Sequence, residues 1–257
     1  VGYSANALGG AGGPLAVLII AIVASELGKA VSKETRVDIL VTPLVTIFSG
    51  VGLSMLIAAP IGAAASQVGT LIMWATEQAP LVMGILVSVI VGVALTLPIS
   101  SAAICAALGL TGLAGGAAVA GCCAQMIGFA VMSYKENGVG GLVSQGLGTS
   151  MLQMGNIVKN PRIWIAPTLA SAITGPLATC VFHFEMNGAA VSSGMGTCGL
   201  VGQIGVYTGW VESGKVITAF DWAGMVLVCF ILPAVLSVIF CEVLRKKGWI
   251  KEGDLKL

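Results

Sequence analysis

Residues 174–203 read TGPLATCVFHFEMNGAAVSSGMGTCGLVGQ, and this stretch decides how the rest of the chain is interpreted. It begins inside an apolar run and ends in glycine-rich sequence. Between the two lie His183, the only histidine of the chain, and Glu185. Ionisable residues inside membrane-spanning sequence are rare and usually mark a pathway for a solute or an ion. The stretch is therefore the first candidate for a functional site, provided that its flanks lie in a bilayer.

The composition of the chain indicates a membrane protein. It is 57% hydrophobic and 9% charged, with a mean hydropathy of +1.01, whereas soluble domains carry about 25% charged residues. A water-soluble fold could not bury this much apolar surface. We therefore predict an all-α polytopic membrane protein with a single transmembrane domain over residues 1–257. The formal net charge of +1 argues against nucleic acid as a partner.

The apolar runs predict where the helices cross the membrane. Runs of spanning length lie at residues 14–31, 38–60, 79–97, 162–184 and about 220–244. Residues 98–133 are apolar but dense in glycine, alanine and serine, and the pattern breaks near 109–116. Either two half-helices or two tightly packed helices fit this composition. The 36 glycines of the chain favour close helix packing and broken or re-entrant segments.

Two further segments have the pattern of interfacial amphipathic helices. Residues 61–78 place apolar side chains on one face and Trp74 at headgroup depth. Within residues 134–161, one apolar face is formed by Leu147, Met151, Met154 and Val158. Asp38 is a plausible N-cap for the span that follows it. Glu26 and Lys29, three residues apart, are expected to share a face as an interfacial pair. Residues 1–13 fit a loop or the end of an earlier re-entrant segment.

The lysines and arginines suggest how the chain is oriented. If the loop at 29–37 is cytoplasmic and residues 98–133 form a hairpin, Lys215 is the only external cation. The internal ones are then Lys29, Lys33, Arg36, Lys135, Lys159, Arg162, Arg245, Lys246, Lys247, Lys251 and Lys256. This distribution follows the positive-inside rule and predicts that the end of the chain is cytoplasmic.

A weak internal repeat appears when the chain is shifted by 78 residues. The two repeat units are approximately residues 79–133 and 162–210, and the matched pairs are Thr96 with Thr174, Pro98 with Pro176, Gly116 with Gly194, Gly121 with Gly199, and Gln125 with Gln203. Under the orientation above, the two copies cross the membrane in opposite directions. This is the inverted repeat of many secondary transporters, whose solute sites lie near the bilayer midplane.

Broken helices leave unpaired backbone groups in the membrane, which a polar solute or water must satisfy. The polar side chains nearest the two breaks are Gln125, His183, Glu185, Asn187 and Gln203. If FHFEMN is extended, His183 and Glu185 point to one side; if it is helical, they point about 200° apart. Glu185 could instead be interfacial, and the histidine could be a packed, hydrogen-bonded side chain. The two glutamines could instead pair helices through side-chain hydrogen bonds.

A polar cluster lies at residues 156–162. It consists of Asn156, Lys159, Asn160 and Arg162 within NIVKNPR. These side chains suit contact with a phosphorylated partner protein or with a phosphate group. The alternative is that they end a helix before Pro161 and satisfy the positive-inside rule.

The sequence offers no sign of catalysis or of a bound cofactor. The seven cysteines include no C-x-x-C pair, so they are interpreted as small packing residues rather than metal or redox ligands. No phosphate-binding GK[ST] loop occurs, and no serine lies in a motif with a base. We therefore expect no metal and no catalytic residue.

Stretches covering about residues 34–209 resemble the membrane component (enzyme IIC) of the sugar phosphotransferase system, in the compact branch that includes perfringolysin-regulator-like membrane proteins. The stretches are ETRVDILVTPLVTIFSG, LTLPISSAAI, CCAQMIGFAVMSYKENG and QGLGTSMLQMGNIVKNPRIWIAPTLASAITGPLAT. The resemblance implies a dimeric sugar permease of the bacterial plasma membrane. It would present sugar to separate cytoplasmic IIB and IIA-type proteins for phosphorylation. A histidine and a glutamate hold the sugar in better-known members, which points to His183 and Glu185. In those members the glutamate is followed by proline, whereas Glu185 is followed by Met186.

Two other functions remain open from the sequence. One is a membrane sensor or regulator that binds a solute without transporting it. The other is an ion-coupled transporter that uses Glu26 or Glu185 as a proton site.

Overall fold

The computed structural model describes residues 13–34 and 37–257. The loop or re-entrant end predicted for residues 1–13 lies, apart from Gly13, outside this part, and so does Arg36. The α-helices are α1 (Gly13–Val31), α2 (Asp38–Gln78), α3 (Pro80–Thr96), α4 (Ser101–Leu108), α5 (Gly112–Met132), α6 (Tyr134–Val143), α7 (Met154–Lys159), α8 (Ile165–Pro176), α9 (Val201–Glu212), α10 (Ala219–Val226) and α11 (Leu232–Lys246).

Short π- and 3₁₀-helical turns connect or extend these helices. They are Ser144–Gly148, Ser150–Gln153, Pro161–Trp164, Leu177–Val181, Ala190–Gly194, Cys198–Leu200 and Leu227–Ile231. No strand occurs in the described ranges. The prediction of an all-α protein is therefore confirmed.

Long apolar helices confirm the membrane assignment. Helical stretches long and apolar enough to cross a bilayer are Asp38–Gln78, Gly112–Met132, Pro161–Val181 and Ala219–Lys246. The shorter apolar helix α3 begins and ends within a residue of the run that predicted it. The protein is thus a multi-pass, membrane-embedded α-helical protein.

The chain packs as two units, and the described residues of the smaller one are 13–34, 37–70 and 106–108. In its described part, Ala16 and Ile20 of α1 are buried together with Ala58 of α2. The Nζ of Lys29 lies 3.6 Å from a carboxylate oxygen of Glu26, which confirms the pair expected from their spacing. Both side chains are exposed, so this ion pair adds little to stability.

The larger unit comprises residues 71–105 and 109–257 and is built around α5. Nearly all residues of α5 are buried, and α3, α8 and α11 pack against it. Glycines allow this close approach: a Cβ on Gly121 would overlap the carbonyl oxygen of Ser88, and one on Gly175 would overlap that of Gly84. Close helix packing through glycine, expected from the composition, is confirmed. The prediction of a single domain stays a prediction.

The separate interfacial helix predicted for residues 61–78 is wrong. Helix α2 continues through Pro43 and Pro60 as one helix of 41 residues. At about 1.5 Å per residue it is about 60 Å long, twice the hydrocarbon thickness of about 30 Å. Proline removes one backbone hydrogen bond, and helices in membranes tolerate that loss.

Asp38 also differs from its predicted role, since it lies in the first turn of α2 instead of capping it. Its carboxylate accepts hydrogen bonds from the backbone N–H of Lys33 at 2.9 Å and the hydroxyl of Thr42 at 2.6 Å. The carboxylate therefore joins the preceding turn to the helix.

The single amphipathic helix predicted within residues 134–161 is also wrong. The π-turn Ser144–Gly148 and the extended Thr149 divide this segment into α6, a 3₁₀ turn and α7. Met151 and Val158 of the predicted apolar face are exposed, whereas Gln145 and Gln153 are buried. Hydrogen bonds among buried amide side chains, described below, stabilise this arrangement.

The predicted break within residues 98–133 is confirmed. Helix α4 ends at Leu108 and α5 begins at Gly112, with Gly109 and Gly112 both at φ +63°. Only glycine adopts this left-handed backbone without a steric cost. Helix α4 is about 12 Å long, too short to cross a bilayer, whereas the 21 residues of α5 are enough to cross it. The segment therefore combines one short helix with one full-length helix and matches neither predicted alternative completely.

The internal repeat stays a prediction, because the structure supports it only in part. The shift of 78 residues places α3 on residues 158–174, which are also mostly helical. It places α4 on residues 179–186, which leave the π-turn and become extended. Pro98 lies after a helix, whereas Pro176 lies inside one.

Candidate functional site

The chain leaves the helix where His183 and Glu185 occur and becomes extended after His183. After the π-turn Leu177–Val181, His183 has a left-handed backbone with φ +43°. Phe184 and Met186 are then buried, with 3% and 0% of their surface exposed, while His183, Glu185 and Asn187 are exposed. This alternation is that of a strand. The structure thus agrees with the extended alternative and places the three polar side chains on one face.

The buried residues of this segment fix it to α5. Gly112 and Met186 exchange two backbone hydrogen bonds of 2.9 and 3.0 Å as an isolated antiparallel bridge. The N–H of Phe184 donates to the carbonyl of Ala178 at 2.8 Å. The side chains of Phe184 and Met186 join a core cluster that includes Trp210. We refer to residues 183–187 as the site segment.

Gly116 on α5 allows the close contact with the site segment. A Cβ at this position would overlap the carbonyl oxygen of Phe184. A Cβ on the neighbouring Gly115 would lie 3.2 Å from the carbonyl oxygen of Met186. The sequence analysis noticed Gly116 only as a member of the repeat and missed this packing role.

Asn187 orients the carboxylate of Glu185. Its Nδ2 donates to Glu185 Oε2 at 3.0 Å, and its Oδ1 accepts from the N–H of Gly112 at 3.2 Å. The amide therefore joins the start of α5 to the carboxylate. The remaining lone pairs of the exposed carboxylate are available to hydroxyl groups of a ligand.

Gln203 lies on α9 and is turned towards α5. Its Nε2 is 3.2 Å from the Sγ of Cys123, while its buried Oε1 has no hydrogen-bond partner among the described residues. The side chain lines an apolar groove of about 250 Å³. The groove is formed by Leu200, Gln203, Ile204, Tyr207, Trp222 and Met225.

Gln125 is fully buried and joins three helical segments. Its Oε1 accepts from the hydroxyl of Thr96 at 3.3 Å and the indole N–H of Trp164 at 3.0 Å. Its Nε2 donates to the hydroxyl of Thr168 at 3.2 Å. This geometry favours the helix-pairing alternative, because both acceptor positions of the carbonyl are used.

Replacing Gln125 by leucine is expected to lower the free energy of unfolding by about 1–3 kcal/mol, because the indole N–H of the half-buried Trp164 and the buried hydroxyl of Thr96 lose their acceptor. Thermal unfolding of the purified protein measures this change. Gln78, which is exposed at the end of α2, gives the matched control, and Gln78→Leu should leave the unfolding temperature unchanged. If Gln125→Leu unfolds like the wild type, the amide does not stabilise the helix packing.

The predicted cytoplasmic cluster is divided in two by the structure. Lys159 and Arg162 are exposed. The side-chain amides of Asn156 and Asn160 instead donate to residues 249–256 of the same chain. This contact could not be predicted from the sequence, because the partners are more than 85 residues apart and are mostly backbone carbonyls.

An aromatic cluster near the site segment was also missed. Trp210 packs edge-on against Phe184, with ring centroids 6.4 Å apart, and against Trp222 at 6.1 Å. Lys215 lies over the ring of Trp210 and forms an ion pair with Asp221 at 2.6 Å. These aromatic residues are more than ten positions apart in the sequence, so no local pattern predicted that they pack together.

The seven cysteines are all free, and five of them are buried. Across the described ranges, no group of three or more histidine, cysteine, aspartate or glutamate side chains could hold a metal ion. Separately, the exposed imidazole, carboxylate and amide of the site segment can exchange hydrogen bonds with the hydroxyl groups of a solute.

The fold and this segment define a class: a multi-pass membrane protein with broken helices and a polar segment fixed to its central helix. Comparison with known families then identifies it. The family described as "Phosphotransferase system, EIIC" matches residues 3–257, nearly the whole chain, and the chain belongs to this family. It is a membrane permease component of a phosphotransferase sugar transport system. No curated protein and no solved structure matched.

Proposed function

We propose that the exposed face of the site segment holds the sugar during translocation. The observation that supports this is the alternation of residues 183–187, which gathers His183, Glu185 and Asn187 on one face. An ionised carboxylate accepts charge-assisted hydrogen bonds from two adjacent hydroxyls. The imidazole and the amide each donate and accept, as sugar hydroxyls require. The broken helices beside the segment support a position near the bilayer midplane.

The family implies cytoplasmic IIA and IIB partners, and we propose that a separate IIB protein phosphorylates the sugar at the cytoplasmic face. Lys159 and Arg162 are the proposed contacts with this partner or with the phosphate, since both are exposed cations. Asn156 and Asn160 belong to the same proposed surface, but both N–H groups of each amide are already used within the chain.

Gln203 is proposed as an additional contact with the sugar, beside those of the site segment. Its unpartnered Oε1 is an acceptor that a ligand hydroxyl could satisfy. Gln125 is proposed to position α5 instead of touching sugar. We further propose a homodimer in the bacterial plasma membrane with residues 245–257 in the cytoplasm, in agreement with the positive-inside distribution.

Transport by proteoliposomes tests the proposed function. Vesicles loaded with a phosphorylated IIB protein should accumulate sugar phosphate when sugar is added outside, and vesicles without it should not. A sensor would bind the sugar without accumulation in either case. Accumulation that follows an imposed pH gradient and ignores the IIB protein would support an ion-coupled transporter and contradict the proposal.

A further inference from the structure

Residues 248–257 form turns rather than a helix, yet they are firmly docked. Ile250 and Leu255 have 2% and 0% of their surface exposed, and both belong to a core cluster with Phe129 and Met132 at the end of α5. We refer to residues 248–257 as the docked segment. Its two apolar anchors are held at a depth that is usual for a domain core.

Both backbone polar groups of Leu255 form hydrogen bonds with side chains. Its N–H donates to Glu136 Oε2 at 2.9 Å. Its carbonyl accepts from Asn137 Nδ2 at 2.7 Å and from Gln153 Nε2 at 3.0 Å. The N–H of Leu257 donates to Asn137 Oδ1 at 2.9 Å. Side chains therefore provide the hydrogen bonds that a neighbouring strand would give an extended peptide.

Two more amides complete this recognition. Asn156 Nδ2 donates to the carbonyl of Lys256 at 2.9 Å. Asn160 Nδ2 donates to the carbonyl of Trp249 at 2.9 Å and to the carboxylate of Asp254 at 2.8 Å. The hydrogen bond from Asn160 to Asp254 joins two side chains, so binding depends on the sequence of the docked segment as well as on its backbone.

Trp249 adds a third sequence-dependent contact. The guanidinium of Arg162 lies 5.4 Å from the ring centroid and the ammonium of Lys247 lies 5.7 Å from it. Both distances are within the range of a cation–π interaction. Together with Ile250, Asp254 and Leu255, the indole defines what the surface recognises.

The same amides hold the irregular stretch at residues 144–153. Gln153 Nε2 also donates to Gln145 Oε1 at 2.9 Å, and Gln145 Nε2 donates to the hydroxyl of Ser133 at 2.7 Å. Further along, Ser150 is hydrogen-bonded to Thr96 at 2.9 Å, and the carbonyl of Gly146 accepts from Thr197. The stretch thus touches the docked segment on one side and α3 and the 190–200 turns on the other.

We propose that Glu136, Asn137, Gln153, Asn156 and Asn160 form a peptide-binding site whose ligand is the docked segment, and that occupancy of this site holds residues 144–153 in place. The ligand class is a short peptide with an aromatic residue, two aliphatic anchors and an aspartate before the second anchor. This proposal does not depend on the sugar site. The interaction is intramolecular in the structure, and its groups are all of the kind that also bind a separate peptide.

The test uses the full chain carrying Leu255→Asp, which removes the second apolar anchor of the docked segment, and a fluorescently labelled synthetic peptide of residues 248–257, GWIKEGDLKL. The peptide should bind this variant with a dissociation constant in about the micromolar range. It should bind the wild-type chain at least tenfold more weakly, because the site there is occupied. Asn160→Ala should weaken binding about tenfold or more, because two hydrogen bonds are lost. Val158→Ala, at a neighbouring exposed position, is the matched control and should change binding less than twofold.

A scrambled peptide of the same composition should not bind. Equal affinity of the two peptides, or no loss with Asn160→Ala, would overturn the proposal. Hydrogen exchange tests it without an added peptide. The amides of Leu255 and Leu257 should exchange slowly, and Leu255→Asp should speed exchange both there and at residues 144–153. Exchange at free-peptide rates in the wild type, or unchanged exchange at 144–153 in Leu255→Asp, would also overturn it.

Discussion

Replacing Glu185 by glutamine is expected to weaken sugar binding by about one to two orders of magnitude. Hydrogen bonds to a charged group contribute about 1.5–3 kcal/mol, and each 1.4 kcal/mol corresponds to about tenfold in affinity. Glutamine keeps the size of the side chain but loses the charge and one acceptor oxygen. Glu185 is exposed, so stability should hardly change. Calorimetric titration of the purified protein with the sugar that binds the wild type measures the effect.

A glutamate outside the site provides the control for this substitution. Glu212 is exposed at the end of α9, and Glu212→Gln should leave the affinity unchanged. Equal loss in both variants would indicate a general effect of charge. Wild-type affinity in Glu185→Gln would remove the carboxylate from the site.

The second large effect is expected from Gly116→Ala. The added methyl group would overlap the carbonyl oxygen of Phe184, and backbone atoms on both sides leave little room to relax. Overpacking of this kind typically costs about 1–3 kcal/mol and can cost more. The site segment should therefore separate from α5, with loss of sugar uptake and a lower unfolding temperature. Uptake into vesicles and thermal unfolding together measure the two consequences.

Gly52 provides a matched control for this variant. It lies inside helix α2, and a Cβ there would meet no atom within 4 Å. Gly52→Ala should be neutral or stabilise the helix by up to about 1 kcal/mol, because alanine favours helix over glycine. If Gly116→Ala transports sugar as well as Gly52→Ala does, the close contact does not hold the site segment.

The sequence predicted most of what local pattern controls. The break between α4 and α5 follows from glycines that adopt positive φ, and the limits of α3 follow from Pro80 and from the turn at Pro98. The alternation in FHFEMN was predicted as one of two alternatives, and the structure distinguished them. Local pattern failed at Pro60, since helix packing in a membrane tolerates a proline that often ends a helix in water.

Contacts between distant residues could not be predicted. The roles of Gly116, of the Asn187 amide and of the docked segment all depend on which backbone carbonyl or N–H lies opposite a given side chain. Any asparagine or glutamine can provide such a contact, so its residue type carries no information about the partner. Gln125 and Gln203 illustrate this, because the sequence ranked them alike and the structure gives them different environments.

Protection of an introduced thiol tests most directly whether the exposed face of the site segment holds sugar. Ala189 is exposed two residues beyond Asn187, and Ala189→Cys would be labelled with a maleimide after the half-buried Cys180 and Cys198 are replaced by alanine. Saturating sugar should slow this labelling severalfold and leave labelling of Val216→Cys, a thiol at a residue 82% exposed, unchanged. Equal labelling rates at residue 189 with and without a sugar that the protein transports would contradict the account.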